Sequence, residues 1–524
     1  MTHPAPETRR RGAPRAIVVG AGFGGLASAV RLVAKGYDVT VVEATDQLGG
    51  RASVWKRDGY SFDAGPTVIT APYLFDELWS LVGRSSRDYF DIMPVDPFYR
   101  VDFPDGSRFD YVGEEERILS QIQMMSPPDV DGYRKLADHA RRIFEIGYEK
   151  LAHVPFDTFS QMLRIVPTML KLSNHRSVYG LVSKYIKDDR LRQVFTFQPL
   201  LIGGNPFKAS SIYLLIHWLE RKWGVHYAKG GTAAIVAAFG RLLSEIGVDV
   251  RLNSPVSELV MDNGAARGVR LESGAQLDAE LVVFNADPSV VYRTMIPKQA
   301  RRKHTDRAIA RKKQSMSLFV TYFGTKKTYP SLAHHTIVLG ARYKGLLNDI
   351  FEKKVLAKDF SLYLHAPTRS DPSIAPAGHE AFYVLSPVPN QLSGIDWEQA
   401  APEYEARILD SLQQSHIPGL RDNLTTCFSV DPRYFEGRLR SQNGAAFGLE
   451  PRLTQSAWFR YHNRSEDVRD LYFVGASTHP GAGVPGVLSS AKVTDHCIPK
   501  AASTDGSVDG SIVGEDGRPL RSAA

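Results

Sequence analysis

Glycines at 20, 22 and 25, a glutamate at 43, and a second glycine-rich run, GASTHPGAGVPGV at 475–487, are the residues whose types and spacing point to chemistry. Neither group supplies a nucleophile. Bare backbone does a different job: it lets N–H groups and helix ends approach phosphates where a side chain would collide. Gly20, Gly22 and Gly25 stand in GxGxxG spacing directly after the apolar run AIVV, 16–19. Gly20 allows the tight turn, Gly22 close approach to a pyrophosphate, and Gly25 close contact between helix and strand. Glu43 lies 18 residues beyond Gly25, placed to accept a hydrogen bond from a ribose hydroxyl. The pattern suits the adenosine of either NAD or FAD and argues against a 2′-phosphate.

The elements that must hold these residues are legible around them. AIVV reads as a buried strand. LASAVRLVAKG, 26–36, sets Leu26, Ala29, Val30 and Val33 at helical spacing, with Gly36 at the helix end, and DVTVVE, 38–43, reads as a second strand. Together they form a βαβ unit with the fingerprint in its proper context. Residues 248–287 read as short strands with turns at Asn263-Gly264 and Ser273-Gly274, closing on the strand LVVFNAD, 281–287. LYFV, 471–474, is a strand running into the second glycine cluster, and LSSAKVTDHCI, 488–498, has helical character. Pro480 and Pro485 reduce the freedom of the loop between them.

With 524 residues the chain has room for two or three domains. Its 43% hydrophobic and 23% charged residues are those of a soluble globular protein. The net charge of +7 reads either as a solvated surface or as attraction to an anionic one. Cys427 and Cys497 stand alone without CxxC spacing, which favours a reducing, cytoplasmic compartment. The opening MTHPAPETRRRGAPR has no apolar core for a signal peptide, and no apolar run is long enough to span a membrane. The small, polar stretches 1–13 and 501–524 are expected to be disordered. No nucleic-acid partner is expected.

Gly49-Gly50-Arg51 and the turn in YSFDAGPTVIT, 60–70, resemble the flavoprotein superfamily that includes monoamine oxidases. EPRLTQSAWFRYHN (450–463), DLYFVGASTHPGAGVPGVLSSAK (470–492), GGNPFKASSIYLLIHWLERKWGV (203–225), AHHTIVLG (333–340) and DFSLYLHAP (359–367) are similar to the bacterial-type phytoene desaturases. The resemblance runs from about residue 14 to residue 497. Tyr461 stands where that family usually has Pro, and ASTHPG replaces a frequent AGTHPG.

The resemblance implies FAD, bordered by Gly20, Ala21, Gly22, Phe23, Gly24, Gly25, Glu43 and Ala44. Gly49, Gly50 and Arg51 would sit beside the pyrophosphate, followed by Gly65, Pro66 and Thr67. Val256 would meet the adenine through its backbone, with Asn285, Ala286 and Asp287 near by. Gly475, Ala476, Gly483, Val484, Pro485, Gly486 and Val487 would lie along the pyrophosphate, ribityl chain and ring, with the next helix pointing its N-terminus at the N1–C2=O edge. The implied reaction is desaturation of an apolar C40 isoprenoid, 15-cis-phytoene or a relative, by hydride transfer to flavin N5 and then proton loss. Three steps would end at neurosporene and four at lycopene. Oxygen or a membrane quinone would take up the electrons.

Such a hydrocarbon must come from a membrane. In 158–186, Phe159, Met162, Leu163, Val166, Met169 and Leu170 share a helical face, with Arg164, Lys171, His175, Arg176 and Lys184 beside it. That is either a surface for anionic lipid or a core helix pair, and Pro167 is expected to break or kink it. Residues 193–219 read as an apolar tunnel wall or as buried lid core. Arg164 matches a family position near the reacting carbons and is the catalytic candidate, although Gln161 replaces the acid that accompanies it in some members. His479 reads as structural or as tuning the flavin. His334, His335 and His365 show no metal-ligand spacing with nearby acids, and no metal is expected.

The expected fold is α/β: a Rossmann-like discontinuous FAD-binding domain from 14–75, 225–290 and 465–500, with an α+β substrate domain and a helical, membrane-facing lid from 76–224 and 291–464. The enzyme would be cytoplasmic and peripherally bound to the membrane. The rivals are a carotenoid isomerase, a hydroxycarotenoid 3,4-desaturase or an amine oxidase on the same fold, and a non-catalytic flavin- or lipid-binding protein.

Overall fold

The structure, a computed structural model, describes residues 12–501. The expected disorder at 1–13 and 501–524 therefore falls almost wholly outside the described residues.

Arg15–Val19, the helix Phe23–Ala34 and Asp38–Val42 form the βαβ unit. The two strands pair in parallel, and Leu281–Phe284, Leu471–Phe473 and Asp249–Arg251 extend them to a five-stranded parallel sheet. Parallel sheets covered on both faces need continuous apolar strands. Ala16 to Val19 and Leu281 to Phe284 are buried throughout. Gly25 sits so close to the carbonyl oxygen of Gly20 that a Cβ would overlap it. Beside the sheet, Val256–Asp262, Ala265–Leu271 and Gln276–Asp278 make an antiparallel meander. Its first turn is the expected Asn263-Gly264, with φ of 47° and 74°, the left-handed pair a two-residue hairpin loop requires.

The second half is built on a seven-stranded sheet. Its order is Leu424–Val430, Ser317–Thr325, Glu380–Val388, Leu362–His365, His335–Val338, Tyr99–Asp102 and Arg108–Tyr111. Side chains alternate across it. Phe382 and Val384 face a core with Trp397, Ile408 and Leu412 of the helix Trp397–Ser415. Tyr383, Leu385 and Pro387 face a cavity. Leu215–Trp223 and Val130–Phe144 belong to the helical layer on that side.

Two helices depart from the sequence reading. Phe159–Lys171 continues through Pro167 without a break. Proline costs a helix one N–H and crowds the carbonyl four residues back, here that of Leu163. This helix lies at the surface, with the Leu163 side chain 55% exposed, so solvent can meet the freed carbonyl. A capping box of Thr158 and Gln161 starts the helix. The last helix spans Val484–Cys497, starting four residues earlier than the apolar spacing suggests. Pro485 is no obstacle there, because the first turn has no N–H partner to lose.

Candidate functional site

One cavity of about 520 Å³ joins the two halves. Its first wall is backbone. Gly20, Gly22, Phe23, Gly24, Glu43, Ala44, Gly49, Gly50, Arg51, Gly65, Pro66 and Thr67 line it, as do Val256, Asn285, Ala286 and Asp287. Gly475, Ala476 and the run Gly483, Val484, Pro485, Gly486 and Val487 complete it. Ala21 and Gly25 are not on the surface of the cavity. Ala21 donates its N–H to Glu43 Oε2 at 2.7 Å, and Gly25 lets the helix close on the strand.

Asn285 is the hub of this wall. A Cβ on Gly22 would meet its Nδ2 at 2.8 Å, one on Gly24 its Oδ1 at 2.7 Å, and one on Gly475 the same oxygen at 2.9 Å. The glycines thus serve contact within the protein as well as room for a ligand. Two helices open onto the cavity at Gly22 and Gly483, and neither has a side-chain cap. Their first N–H groups are left for an anion, which the helix dipole favours. Arg51 is partly buried, its Nε donating to the Ala446 carbonyl at 2.6 Å and Nη2 to Ser441 Oγ at 2.5 Å. No carboxylate among the described residues forms an ion pair with it, and burial pushes its pKa below the usual guanidinium range. A partly buried cation with no carboxylate in direct contact, Asp287 acting on it only from a distance, fits a phosphate. Glu43 is held by Ala21 N–H and, through Oε1, by Thr45 N and Oγ1, both at 2.9 Å.

The second wall is side chains. Phe197, Leu200, Leu201, Ile202, Leu215, Ile216 and Leu219 come from 193–219, while Val194 and Phe195 of that stretch are buried in the core. Both readings of the segment therefore hold, residue by residue. Met316, Leu318, Ile337, Leu339, Tyr363, Tyr383 and Leu385 form the sheet side.

Sequence reasoning missed three things. Arg460, fully buried, donates to the carbonyls of Ala476, Thr478, Leu449 and Gln455 at 2.5, 3.0, 3.3 and 3.2 Å. It clamps the glycine-rich loop from behind, and only its place in the quoted 450–463 stretch hinted at a role. His334, His335 and His365 meet across two paired strands with their ligand atoms within 4.8 Å of one another, all buried. Burial pushes His334 to about 3 and the other two well below the usual imidazole range, so all three are neutral. The rings of His335 and His365 lie nearly parallel, at 17°. The third is Glu220, an acid on the apolar side. His479 is neutral, pushed down to about 4 by burial, and its Nε2 lies 3.3 Å from the Leu151 carbonyl. That is a structural contact. Arg164 is exposed on Phe159–Lys171 and is not among the residues lining the cavity. Gln161 bonds back to Thr158 N at 3.1 Å, a capping task rather than a partner for Arg164.

A parallel sheet with phosphate-sized turns at its strand ends, two uncapped helix N-termini and one shared cavity makes this a dinucleotide-binding oxidoreductase of the flavoprotein class. The chain belongs to the flavin-containing amine oxidoreductase family, which it matches over residues 23–494. It is 48% identical over 483 residues to a lycopene-forming phytoene desaturase of a Paracoccus species, covering 92% of this chain and 96% of that one. It is 45% identical over 496 residues to a neurosporene-forming phytoene desaturase of Rhodobacter capsulatus, covering 94% and 95%. An oxidoreductase from Methanosarcina mazei shares the fold, with a TM-score of 0.60, 16% identity, and coverage of 91% and 98%.

Proposed function

We propose that this protein is an FAD-dependent phytoene desaturase that takes a C40 isoprenoid from a lipid surface and forms neurosporene or lycopene. The observation that carries the reading is the shared cavity: an anion-seeking backbone wall faces an aliphatic and aromatic wall in one continuous space. A long hydrocarbon beside a flavin needs both. The relatives of 45–48% identity act on the same substrate by name.

FAD, held by these residues, would supply the two-electron oxidation. The residues of the chain hold and orient. The helix ends at Gly22 and Gly483 and the Arg51 guanidinium receive the negative groups of the cofactor, and Glu43 receives a ribose. Leu200, Leu201, Leu385 and their neighbours keep water from the reacting carbons. Arg460 fixes the loop before the cofactor arrives.

Delivery would use the helix Phe159–Lys171. Met162 is its one buried residue, while Phe159, Leu163 and Leu170 are 49%, 55% and 56% exposed. Arg164, Lys171, His175 and Arg176 are exposed beside them. An exposed apolar face with basic neighbours suits the surface of an anionic bilayer, and it gives Arg164 a lipid-facing role. No helix among the described residues is long and apolar enough to cross a membrane. Oxygen or a quinone would take the electrons.

The test is anaerobic incubation with FAD, phytoene-loaded liposomes and a quinone, following polyene absorbance and flavin bleaching together. Coloured product with bleaching supports the reading, and the band positions count the steps. Tight FAD binding without colour overturns it in favour of an isomerase or another carotenoid substrate.

A further inference from the structure

Three carboxylates line the cavity: Glu43, Asp287 and Glu220. Two are fully engaged. Glu43 accepts from Ala21 and Thr45, and Asp287 caps the helix Pro288–Thr294 through Ser289 N at 3.0 Å, with Gln442 N at 3.4 Å. Glu220 is different. Its Oε1 accepts from the Tyr99 hydroxyl at 2.8 Å, and its Oε2 is buried without a partner. The residue is 1% exposed. A buried carboxyl oxygen left unpaired costs stability unless function retains it.

Glu220 lines the cavity between its own helix and the strand that carries Tyr99. On its own helix, Leu219 packs with Tyr148 and Ala152, and the adjacent Leu151 carbonyl meets His479 of the glycine-rich loop. On the other side, the Tyr99 ring lies 5.8 Å from that of His335. His335 Nδ1 meets the Tyr363 hydroxyl at 2.7 Å, and that hydroxyl meets Thr67 Oγ1 at 2.6 Å. Desaturation removes two hydrogens from adjacent carbons. One leaves with its electron pair to the oxidant. The other leaves as a proton, and the electrons of its C–H bond become the new double bond. The proton needs an acceptor in a space otherwise lined by hydrocarbon.

Resting on the desaturase reading, we propose that Glu220 is the catalytic base, its free carboxylate oxygen taking the proton while Tyr99 positions the other. Burial supports the role by raising the carboxyl pKa to about 8, close to the working range a general base requires. Tyr99, Tyr111 and Gln198 are donors facing it that favour its charged form, and burial outweighs them. Tyr99 comes from one strand, Tyr111 from the next, Gln198 from the segment 198–202, and Tyr133 from the helix Val130–Phe144. Tyr99 and Tyr111 are held well above the usual phenol range by burial, and Tyr133 is raised as well, so all three stay neutral. On its own helix, His217 is neutral at about 3 and bonded to the Tyr111 hydroxyl, while Arg221 is paired with Glu115 at 2.8 Å. No cation among the described residues forms an ion pair with Glu220.

The test compares the native FAD-loaded protein with Glu220→Gln and Tyr99→Phe on phytoene-loaded liposomes, from about pH 6 to about pH 9. Infrared difference spectra of the same proteins report the protonated carboxyl. The native rate is expected to rise with pH through the titration of Glu220. Glu220→Gln is expected to keep its FAD, lose about 100-fold or more in colour formation, and lose a carboxyl band that the native protein bleaches over the same pH range. An active Glu220→Gln, within about threefold of native, overturns the inference, as does a native spectrum with no such band. Should Glu220→Gln fail to hold FAD, Tyr99→Phe decides. It removes a donor to the carboxylate, so the pH profile moves upward if Glu220 is the base, and an unmoved profile overturns the proposal. A colourless native protein brings down the desaturase reading and this inference with it. A coloured native protein with an equally coloured Glu220→Gln brings down only the inference.

Discussion

The two walls of the cavity are made of different material. The phosphate side is a surface of main chain, drawn from glycine turns, helix ends and strand termini at 20–25, 49–51, 65–67 and 475–487. The hydrocarbon side is a surface of side chains, drawn from helices and from five strands of a sheet whose members lie hundreds of residues apart. A backbone wall tolerates almost no added atom, because no rotamer can retreat. A side-chain wall can repack, and its cost is graded. The first therefore fixes which cofactor class fits, and the second is free to set substrate length.

Substitutions can break or sharpen this contrast, and the largest effect belongs on the main-chain side. Gly25→Ala drives a methyl group into the Gly20 carbonyl, and overpacking against backbone costs ~3 kcal/mol or more. The expected outcome is protein eluting from gel filtration without flavin absorbance. Leu385→Trp, on the opposite wall, is expected to retain its flavin spectrum while colour formation from phytoene falls about tenfold or more, because the added bulk enters the side-chain wall of the cavity. If it lost FAD as well, the two walls would not be separable. Arg51→Met removes the charged partner for a phosphate, a loss of about 1.5–3 kcal/mol. FAD affinity measured by fluorescence quenching should fall roughly 10- to 100-fold, while the protein folds and melts near the native temperature. Leu163→Ser is the mildest. It removes one exposed apolar contact, worth ~1 kcal/mol when partly buried in lipid, so co-sedimentation with anionic vesicles should weaken about fivefold and FAD binding should not change.

The same contrast explains what could be read without coordinates. The glycines, Glu43 and the Asn263-Gly264 turn are legible because local backbone geometry restricts which residue can stand there. The seven-stranded sheet is not: its pairing of Thr336 with Arg100 and of Tyr322 with Tyr383 is fixed by tertiary contact, which leaves no mark in a local pattern. His334, His335 and His365 meet only because that register sets His335 opposite His365. Glu220 stands among the charges of HWLERKW, 217–223, where the local pattern offers no hint that this acid turns inward. At Pro167 the helix continues rather than breaks. The rule about proline weighs the lost hydrogen bond, and at an exposed face solvent offsets it.

Arg460 has a consequence for how the cofactor comes and goes. Its guanidinium holds four carbonyls from inside the protein, two of them, Ala476 and Thr478, in the loop at 475–487. Little ordering entropy then remains to be lost on association. Loading is then expected to be a docking into a largely preformed socket rather than a coupled folding event.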